Sequence, residues 1–369
     1  MSAAATPLPT YVWEPTTDFL AAKYGLPRES IARFDVNTSP VPPDLRDILA
    51  GSFDPALCEY PPSDYAALVA AAAQSYGVAP DELLPTAGAD EALDLIARAS
   101  LRESSVAVIA TPTYAMYRIV SEQRGATAVA VPRLGPDEGF GVDIPALAKA
   151  ARTAQLVWLC EPNNPTGAAE PPERIGELLV RLESDARRDS RQAPVVALDE
   201  AYAEFVGRTA LPLRFDYPHL VVVRTLSKAH ALAGARVGFA IARPETLAPV
   251  LSYRAPASVS TVSAALATAS LSRPELAAAN VARIGEQRER LQRDLAALGW
   301  RPYPSQSNSI LVRFSSAETA AGAAETLLRA GLVPRKFGSG HPFVDCLRLT
   351  VRSERENDRL IEAARGIPA

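Results

Sequence analysis

The stretch Arg224-Thr-Leu-Ser-Lys-Ala-His-Ala-Leu-Ala-Gly-Ala-Arg-Val-Gly-Phe239 decides how the rest of the chain is interpreted. An apolar run precedes it directly and predicts a buried strand that ends just before the lysine. Lys228 follows the hydroxyls of Thr225 and Ser227. The guanidinium of Arg236 comes a few residues later. Because an amine can form a Schiff base while the other groups hold a phosphate, the stretch suits a phosphorylated aldehyde.

Short apolar runs alternate with amphipathic segments on both sides of this stretch. Strands are predicted at residues 34–36, 106–110, 127–131, 156–160, 195–198, 219–223 and 237–242, and helices at residues 63–77, 113–124 and 173–188 and from residue 88 onward. Strands that alternate with helices need crossover connections. The pattern therefore predicts an α/β fold with a mostly parallel sheet flanked by helices.

The C-terminal part of the chain has a different pattern. It predicts a long charged helix at residues 274–298, then a strand, a helix and a strand at residues 309–314, 317–330 and 346–351. This order is typical of a smaller α+β domain. We expect an N-terminal arm and part of the small domain at residues 1–45, a large domain at 46–255 and the small C-terminal domain at 256–369.

The composition of the 369 residues is that of an ordinary globular protein, with 48% hydrophobic and 22% charged residues. A net charge of −4 gives no electrostatic reason to expect a nucleic-acid partner, and no apolar run is long enough to span a membrane. Cys58, Cys160 and Cys346 are few and widely spaced, without the spacing of a metal site. We therefore expect no metal and a cytoplasmic location, since the N-terminus also lacks the pattern of a signal peptide.

Polar groups follow several predicted strands, where open α/β sheets bind their ligands. Besides the opening stretch, these groups are Gly88-Ala-Asp-Glu91, Pro162-Asn-Asn-Pro-Thr-Gly167 and Asp199-Glu-Ala-Tyr202. The first offers the N–H groups of a helix N-terminus to an anion. In the others, Asp199 can pair with a pyridinium nitrogen, and Asn164 and Tyr202 can bond a ring oxygen. Each alone is usually a cap or a turn, but together they favour a phosphorylated pyridine ring.

These motifs resemble those of the fold-type I pyridoxal-phosphate aminotransferases of class I and II, and among them the histidinol-phosphate aminotransferases. Two further motifs carry the resemblance, Pro112-Thr-Tyr-Ala-Met-Tyr117 and Cys346-Leu-Arg-Leu-Thr-Val351. The resemblance extends from about residue 60 onward. It implies a seven-stranded sheet in the large domain, with pyridoxal 5'-phosphate as cofactor. It also implies a small-molecule amino donor such as histidinol phosphate and a 2-oxo acid acceptor such as 2-oxoglutarate.

The resemblance also implies the roles of individual residues. Lys228, Asp199 and Tyr202 would be catalytic, with Lys228 bound to the cofactor and acting as the general base. Asp199 would hold the pyridinium nitrogen, and Asn164 and Tyr202 the ring oxygen. Tyr114 would stack on the ring, and the phosphate would be bound by Ala89, Asp90, Thr225, Ser227 and Arg236. Tyr60 would reach the phosphate in the neighbouring subunit, which implies a homodimer with shared active sites.

Substrate recognition would fall on Arg335 and Arg348, with Tyr11 and Asn37 as further contacts. In related amino-acid aminotransferases the residue that matches Arg348 holds a carboxylate, whereas in histidinol-phosphate enzymes both arginines hold the phosphate. Lys336 would add charge at the same place. The chain departs from the family pattern here, with Asn37-Thr-Ser-Pro40 in place of Asn-Glu-Asn-Pro and Arg352 in place of a glycine. The substrate is therefore less well defined than the cofactor.

Several other functions are compatible with parts of this pattern. A decarboxylase acting on threonine phosphate would use the same lysine and arginine pair, and an aromatic or other amino-acid aminotransferase would use Arg348 for a carboxylate. A cofactor-sensing regulator would need a DNA-binding domain with a basic patch, which the sequence does not offer. A dinucleotide-binding oxidoreductase would need a Gly-x-Gly-x-x-Gly motif after a strand, and none is present.

Overall fold

The apolar runs around Lys228 line up as neighbouring strands of one large sheet. The computed structural model describes residues 8–43 and 57–368. The strands are β1 (Ala32–Arg33), β2 (Leu83–Thr86), β3 (Val106–Thr111), β4 (Thr127–Pro132), β5 (Leu156–Cys160), β6 (Val195–Asp199), β7 (Leu220–Thr225), β8 (Gly238–Ile241), β9 (Arg301–Pro302), β10 (Ser309–Arg313), β11 (Leu332–Val333), β12 (Arg335–Lys336) and β13 (Cys346–Thr350). The predicted boundary at residues 45 and 46 lies outside the described residues.

Helices cover both faces of this sheet and one face of a smaller one. They are α1 (Thr17–Tyr24), α2 (Ala66–Tyr76), α3 (Ala89–Ser100), α4 (Met116–Glu122), α5 (Ile144–Ala150), α6 (Pro172–Arg188), α7 (Pro244–Leu251), α8 (Thr261–Leu271), α9 (Pro274–Ala297), α10 (Ala317–Arg329) and α11 (Glu354–Ala364). Within the described ranges, no helix combines the length and the apolar composition needed to cross a bilayer.

The large sheet has seven strands in the order β2-β8-β7-β6-β5-β3-β4. The pairs β4–β3, β3–β5, β5–β6 and β6–β7 are parallel, and β8 runs antiparallel to both of its neighbours. This confirms the mostly parallel seven-stranded sheet. Strand β2 was not predicted because it is short and contains Pro85, which is tolerated here because β2 lies at the edge of the sheet.

The central strand β5 shows how the sheet is held between two apolar layers. Successive side chains of a strand point to opposite faces. Val157 and Leu159 accordingly pack in one layer with Leu178 of α6. Trp158 and Cys160 pack in the other layer, with Leu93 of α3. All five residues of β5 are buried, which is why this run lacks the alternation of a half-exposed strand.

A second sheet has the order β12-β13-β10-β9, with the long helix α9 and helices α10 and α11 packed nearby. The N-terminal strand β1 pairs in parallel with β11, so residues near the N-terminus lie beside residues close to 332. The prediction of a strand at residues 34–36 was wrong, because the ladder ends at Arg33. There the guanidinium of Arg33 makes two hydrogen bonds of 2.8 Å to the carboxylate of Asp35, and the chain bends.

Candidate functional site

One cavity of about 440 Å³ contains nearly all of the residues predicted to be functional. It lies at the carboxyl ends of β5, β6 and β7, where Cys160, Asp199 and Thr225 are the last strand residues. The predicted residues that line it are Tyr11, Asn37, Ala89, Asp90, Tyr114, Asn164, Asp199, Tyr202, Thr225, Ser227, Lys228, Arg236, Arg335 and Arg348, together with Lys336. Tyr60 does not line it and is 91% exposed.

Lys228 places its amine in the cavity. Its Nζ donates a hydrogen bond of 2.9 Å to the main-chain oxygen of Asn37 and lies 5.7 Å from the ring centroid of Tyr202. Burial is the main cause that lowers the pKa of this amine to about 8, and the nearby positive charge of Arg348 contributes to the same shift. A larger share of the amine is therefore neutral and nucleophilic near neutral pH than in an exposed lysine.

Asp199 presents a buried carboxylate to the same cavity. One oxygen accepts a hydrogen bond of 2.7 Å from the hydroxyl of Tyr117, and the other accepts one of 3.0 Å from the main-chain N–H of Ala201. Burial raises the pKa of Asp199 to about 6, although both hydrogen bonds act in the opposite direction. Such a carboxylate gains from a cationic partner, because a nearby positive charge favours the ionised form.

Tyr117 is a site residue that received no predicted role. It is fully buried, stacks on Trp158 with ring centroids 5.4 Å apart, and directs its hydroxyl at Asp199. Tyr117 lies in α4, three residues after Tyr114, which precedes the helix, and the two rings pack edge to face with centroids 5.8 Å apart. The position of Tyr117 three residues after Tyr114, within the quoted motif, was the sequence signal that could have identified it.

Asn164 and Tyr202 each have one polar function in use and one left to offer. The side-chain oxygen of Asn164 accepts a hydrogen bond of 2.7 Å from Arg348, so its amide nitrogen is the group that can donate to a ligand. The hydroxyl of Tyr202 accepts a hydrogen bond of 2.8 Å from the amide of Asn37, which leaves its proton to donate. Thr350 fixes Asn37 in turn through a bond of 3.0 Å to the side-chain oxygen.

An anion cradle lies where α3 begins. Gly88 is the N-cap residue and has no side chain to accept a hydrogen bond from the first N–H groups of the helix. Ala89 and Asp90, the first helix residues, line the cavity, so their N–H groups are available to an anion. The hydroxyls of Thr225 and Ser227 lie 3.0 Å from each other, and Arg236 completes the set. Arg236 is held by an ion pair of 3.1 Å with Asp90.

Two glycines make this cradle possible. A Cβ on Gly88, which has φ of +80°, would lie 2.5 Å from a guanidinium nitrogen of Arg236. A Cβ on Gly238 would lie 2.6 Å from the main-chain nitrogen of Ala89. Because both contacts are shorter than van der Waals distance, larger residues would displace either the arginine or the helix N-terminus. The donor set of amides, hydroxyls and a guanidinium fits a phosphate.

The other end of the cavity contains two facing arginines. Arg335 and Arg348 are register partners on the antiparallel strands β12 and β13. Like charges directly opposite each other in a sheet are destabilising. Burial lowers the pKa of Arg348 to about 10, and Arg335 contributes in the same direction. The Nε of Arg348 is buried without a hydrogen-bond partner among the described residues. The pair is therefore better explained by anion binding than by stability.

Further residues at this end were not predicted. Glu14 forms an ion pair with Arg335, and His341 stacks on Phe337 with ring centroids 4.6 Å apart. Thr113 has a buried hydroxyl without a hydrogen-bond partner among the described residues. All four line the cavity. Thr113 belongs to the quoted motif at residues 112–117 but received no role there. No sequence motif marked Glu14, Phe337 or His341, because they come from a loop and an N-terminal segment whose positions depend on the tertiary fold.

Known proteins resemble this chain over almost its full length. The profile of the family "Aminotransferase class I and II" matches residues 37–363. The histidinol-phosphate aminotransferase of Xylella fastidiosa is 40% identical over 351 residues, covering 93% of this chain and 87% of that protein. That of Roseiflexus castenholzii is 36% identical, covering 94% and 92%.

A solved structure has the same fold. The histidinol-phosphate aminotransferase from Sinorhizobium meliloti, in complex with pyridoxal-5'-phosphate, superimposes with a TM-score of 0.86. Its sequence is 27% identical, and the match covers 99% of this chain and 98% of that one. The predicted relationship and fold are confirmed, and this chain belongs to the class I and II aminotransferase family.

Proposed function

We propose that this aminotransferase holds pyridoxal 5'-phosphate on Lys228 and transfers the amino group of histidinol phosphate to 2-oxoglutarate. The observation that carries the substrate assignment is the facing pair Arg335 and Arg348 in the cavity of Lys228. The relatives that are 36% to 40% identical bear the name of that activity, which supports the same assignment.

When bound, the cofactor supplies an electron sink for the charge that develops on the substrate carbon. Asp199 would keep a ring nitrogen protonated, and its buried position beside Tyr117 would make that pairing strong. Asn164 and Tyr202 would donate hydrogen bonds to the ring oxygen, and Tyr114 would lie against the ring. Ala89, Asp90, Thr225, Ser227 and Arg236 form the phosphate site, with Asp90 acting through Arg236.

The amine of the substrate would displace the amine of Lys228 from the cofactor, which would leave Lys228 free to act as the base of the reaction. Its Nζ would take the proton from the substrate carbon that bears the amine. It would then deliver a proton to the carbon of the cofactor that receives the amino group. The lowered pKa, about 8, suits this role because a base works best when its pKa lies near the working pH. The contact with the main-chain oxygen of Asn37 orients the amine.

The substrate phosphate binds between Arg335 and Arg348 in this proposal, with Tyr11, Asn37 and Lys336 around it. Two guanidinium groups provide several parallel N–H donors to phosphate oxygens. The buried Nε of Arg348 is one such donor without a partner among the described residues.

The proposal includes a homodimer in which Tyr60 completes the partner's phosphate site. Its support is that Tyr60 is 91% exposed and does not line the cavity of its own chain, although aromatic side chains are usually more buried. We also retain the domain boundaries given above and a cytoplasmic location. The location is supported by the three cysteines, which are free thiols.

A second candidate is an amino-acid aminotransferase in which Arg348 alone holds a carboxylate. The ion pair between Glu14 and Arg335 favours it, because Glu14 already neutralises one arginine of the pair. Decarboxylation of threonine phosphate remains a chemical alternative at the same site.

Assays with one enzyme preparation separate these functions. We expect amino transfer from histidinol phosphate to 2-oxoglutarate with a kcat/KM at least about tenfold above that for phenylalanine or tyrosine, since a phosphate uses both arginines. Preference for a phosphate-free amino acid would favour the second candidate. Carbon dioxide released from threonine phosphate without dependence on 2-oxoglutarate would establish the decarboxylase.

A further inference from the structure

The N-terminal segment, residues 9–16, lies across the substrate end of the cavity. Gln123 of the large-sheet region donates a hydrogen bond of 2.9 Å to the main-chain oxygen of Pro9. Tyr11 packs edge-on against Tyr114, with ring centroids 6.4 Å apart, and also against Trp13. Tyr11 and Glu14 line the cavity.

Contacts that follow Glu14 in the sequence also hold it beside Arg335. Thr16 caps helix α1 by accepting a hydrogen bond of 3.2 Å from the N–H of Phe19. Leu20 of the same helix packs on Val333, two residues before Arg335. The N-terminal segment and the strand of the arginine are thus fixed to one another, and the carboxylate is delivered to the guanidinium.

The pair lies in a partly enclosed place. The side chains of Arg335 and Glu14 are 33% and 23% exposed. Among the described residues, Glu14 is the ion-pair partner of the guanidinium to which the substrate's far anionic group would bind. Any anion that reaches Arg335 must therefore replace this carboxylate or share the guanidinium with it.

We propose that Glu14 is a specificity-determining residue that competes with the far anionic group of the substrate for Arg335. This inference rests on the proposed function, in which Arg335 binds that group. A substrate carboxylate replaces Glu14 with no gain in charge, whereas a phosphate offers up to two negative charges and three oxygens. Glu14 thus weakens the binding of every such anion, and it weakens carboxylates more than phosphates.

The variant Glu14→Gln keeps the size of the side chain and removes its charge. In enzyme loaded with pyridoxal 5'-phosphate, so that the cradle at Arg236 is filled, we expect calorimetry to show about three- to tenfold tighter binding of inorganic phosphate. The kcat/KM for histidinol phosphate should rise by a similar factor. The kcat/KM for histidinol, which lacks the phosphate, should not change.

Asp18→Asn is the matched control. Asp18 lies four residues further on, is exposed, and pairs with Arg28 at 2.7 Å, outside the cavity. The variant Asp18→Asn removes one negative charge, as Glu14→Gln does, and therefore reports any general electrostatic effect. Its affinity for phosphate should stay at the wild-type value.

Three results would overturn the proposal. These are unchanged or weaker phosphate binding in Glu14→Gln, an equal gain in Asp18→Asn, or an equal gain for histidinol. Failure of the proposed function gives a different result. Histidinol phosphate would then not be a substrate of any variant, while the calorimetric comparison would still decide whether Glu14 competes for Arg335.

Discussion

The two ends of the cavity are built in different ways. At the cofactor end, Asp199 and Thr225 terminate adjacent strands of one sheet. At the substrate end, Arg335 and Arg348 belong to the second sheet, and Glu14 belongs to the N-terminal segment. The first end is fixed by strand ends that are close in register. The second depends on the docking of segments more than 300 residues apart in sequence.

In the proposed function, this difference separates chemistry from specificity. The cofactor end has hydrogen bonds that orient each group, as Tyr117 does for Asp199 and Asp90 does for Arg236. The substrate end has opposed charges that a ligand can rearrange. We therefore expect changes at the cofactor end to reduce turnover of all substrates alike. Changes at the substrate end should alter the preference among substrates.

The largest effect is expected for Asp199→Asn. The variant keeps the shape of the side chain but loses the charge that holds a ring nitrogen protonated, so kcat should fall by about 10²- to 10³-fold. The fall should be the same for every amino donor, measured by steady-state kinetics. Asp216→Asn removes an exposed carboxylate and should have no effect. A loss restricted to one donor would contradict the division between the two ends.

Arg348→Lys should have the next largest effect, and on KM. The guanidinium of Arg348 can donate to Asn164 and to an anion at the same time, which the single ammonium of a lysine cannot reproduce. The KM for a substrate with a far anionic group should therefore rise about 30- to 100-fold. Arg313→Lys on the neighbouring strand is the control, since Arg313 is half exposed and pairs with Asp345. An equal rise in KM for histidinol and for histidinol phosphate would show that Arg348 does not bind the phosphate.

Gly88→Ala should weaken the cofactor itself by about tenfold, because its Cβ would displace Arg236 from the cradle. The measurement is the dissociation constant of pyridoxal 5'-phosphate. Gly207→Ala separates this effect from backbone strain. Gly207 has a φ of +69° with nothing within 4 Å of its Cβ, so the variant should lose about 1 kcal/mol of stability and no affinity. Equal loss of affinity in both variants would refute the contact with Arg236.

The smallest effect is expected for Tyr117→Phe, about threefold in cofactor affinity at pH 7. The lost hydrogen bond favoured the ionised carboxylate, so the pKa of Asp199 rises above its value of about 6. As the solution is acidified, the affinity of the variant for the cofactor should therefore begin to decline at a higher pH than that of the wild type. Titrations of cofactor binding between pH 5 and pH 8 test this, and an unshifted profile would contradict it.

The sequence allowed us to predict which residues meet at the strand ends of the cavity, because short motifs there directly follow apolar strands. Asp199 is an example, since the carboxyl ends of parallel strands share one edge. The predicted strand at residues 34–36 was misplaced because the strand ends where Arg33 binds Asp35. Such a contact between two side chains leaves no trace in the pattern of apolar residues. Glu14 could not be predicted, since its partner is more than 300 residues away and the contact depends on α1 packing on Val333.

The proposed function depends on attachment of the cofactor to the amine of Lys228. The chain has four lysines, Lys23, Lys149, Lys228 and Lys336, so the site of attachment can be identified without ambiguity. Protein incubated with pyridoxal 5'-phosphate would be reduced with borohydride, digested and analysed by mass spectrometry. We predict that the added mass is found on Lys228, with none on Lys336 although it lines the same cavity. Attachment to Lys336 or to a surface lysine, or no attachment, would contradict the account.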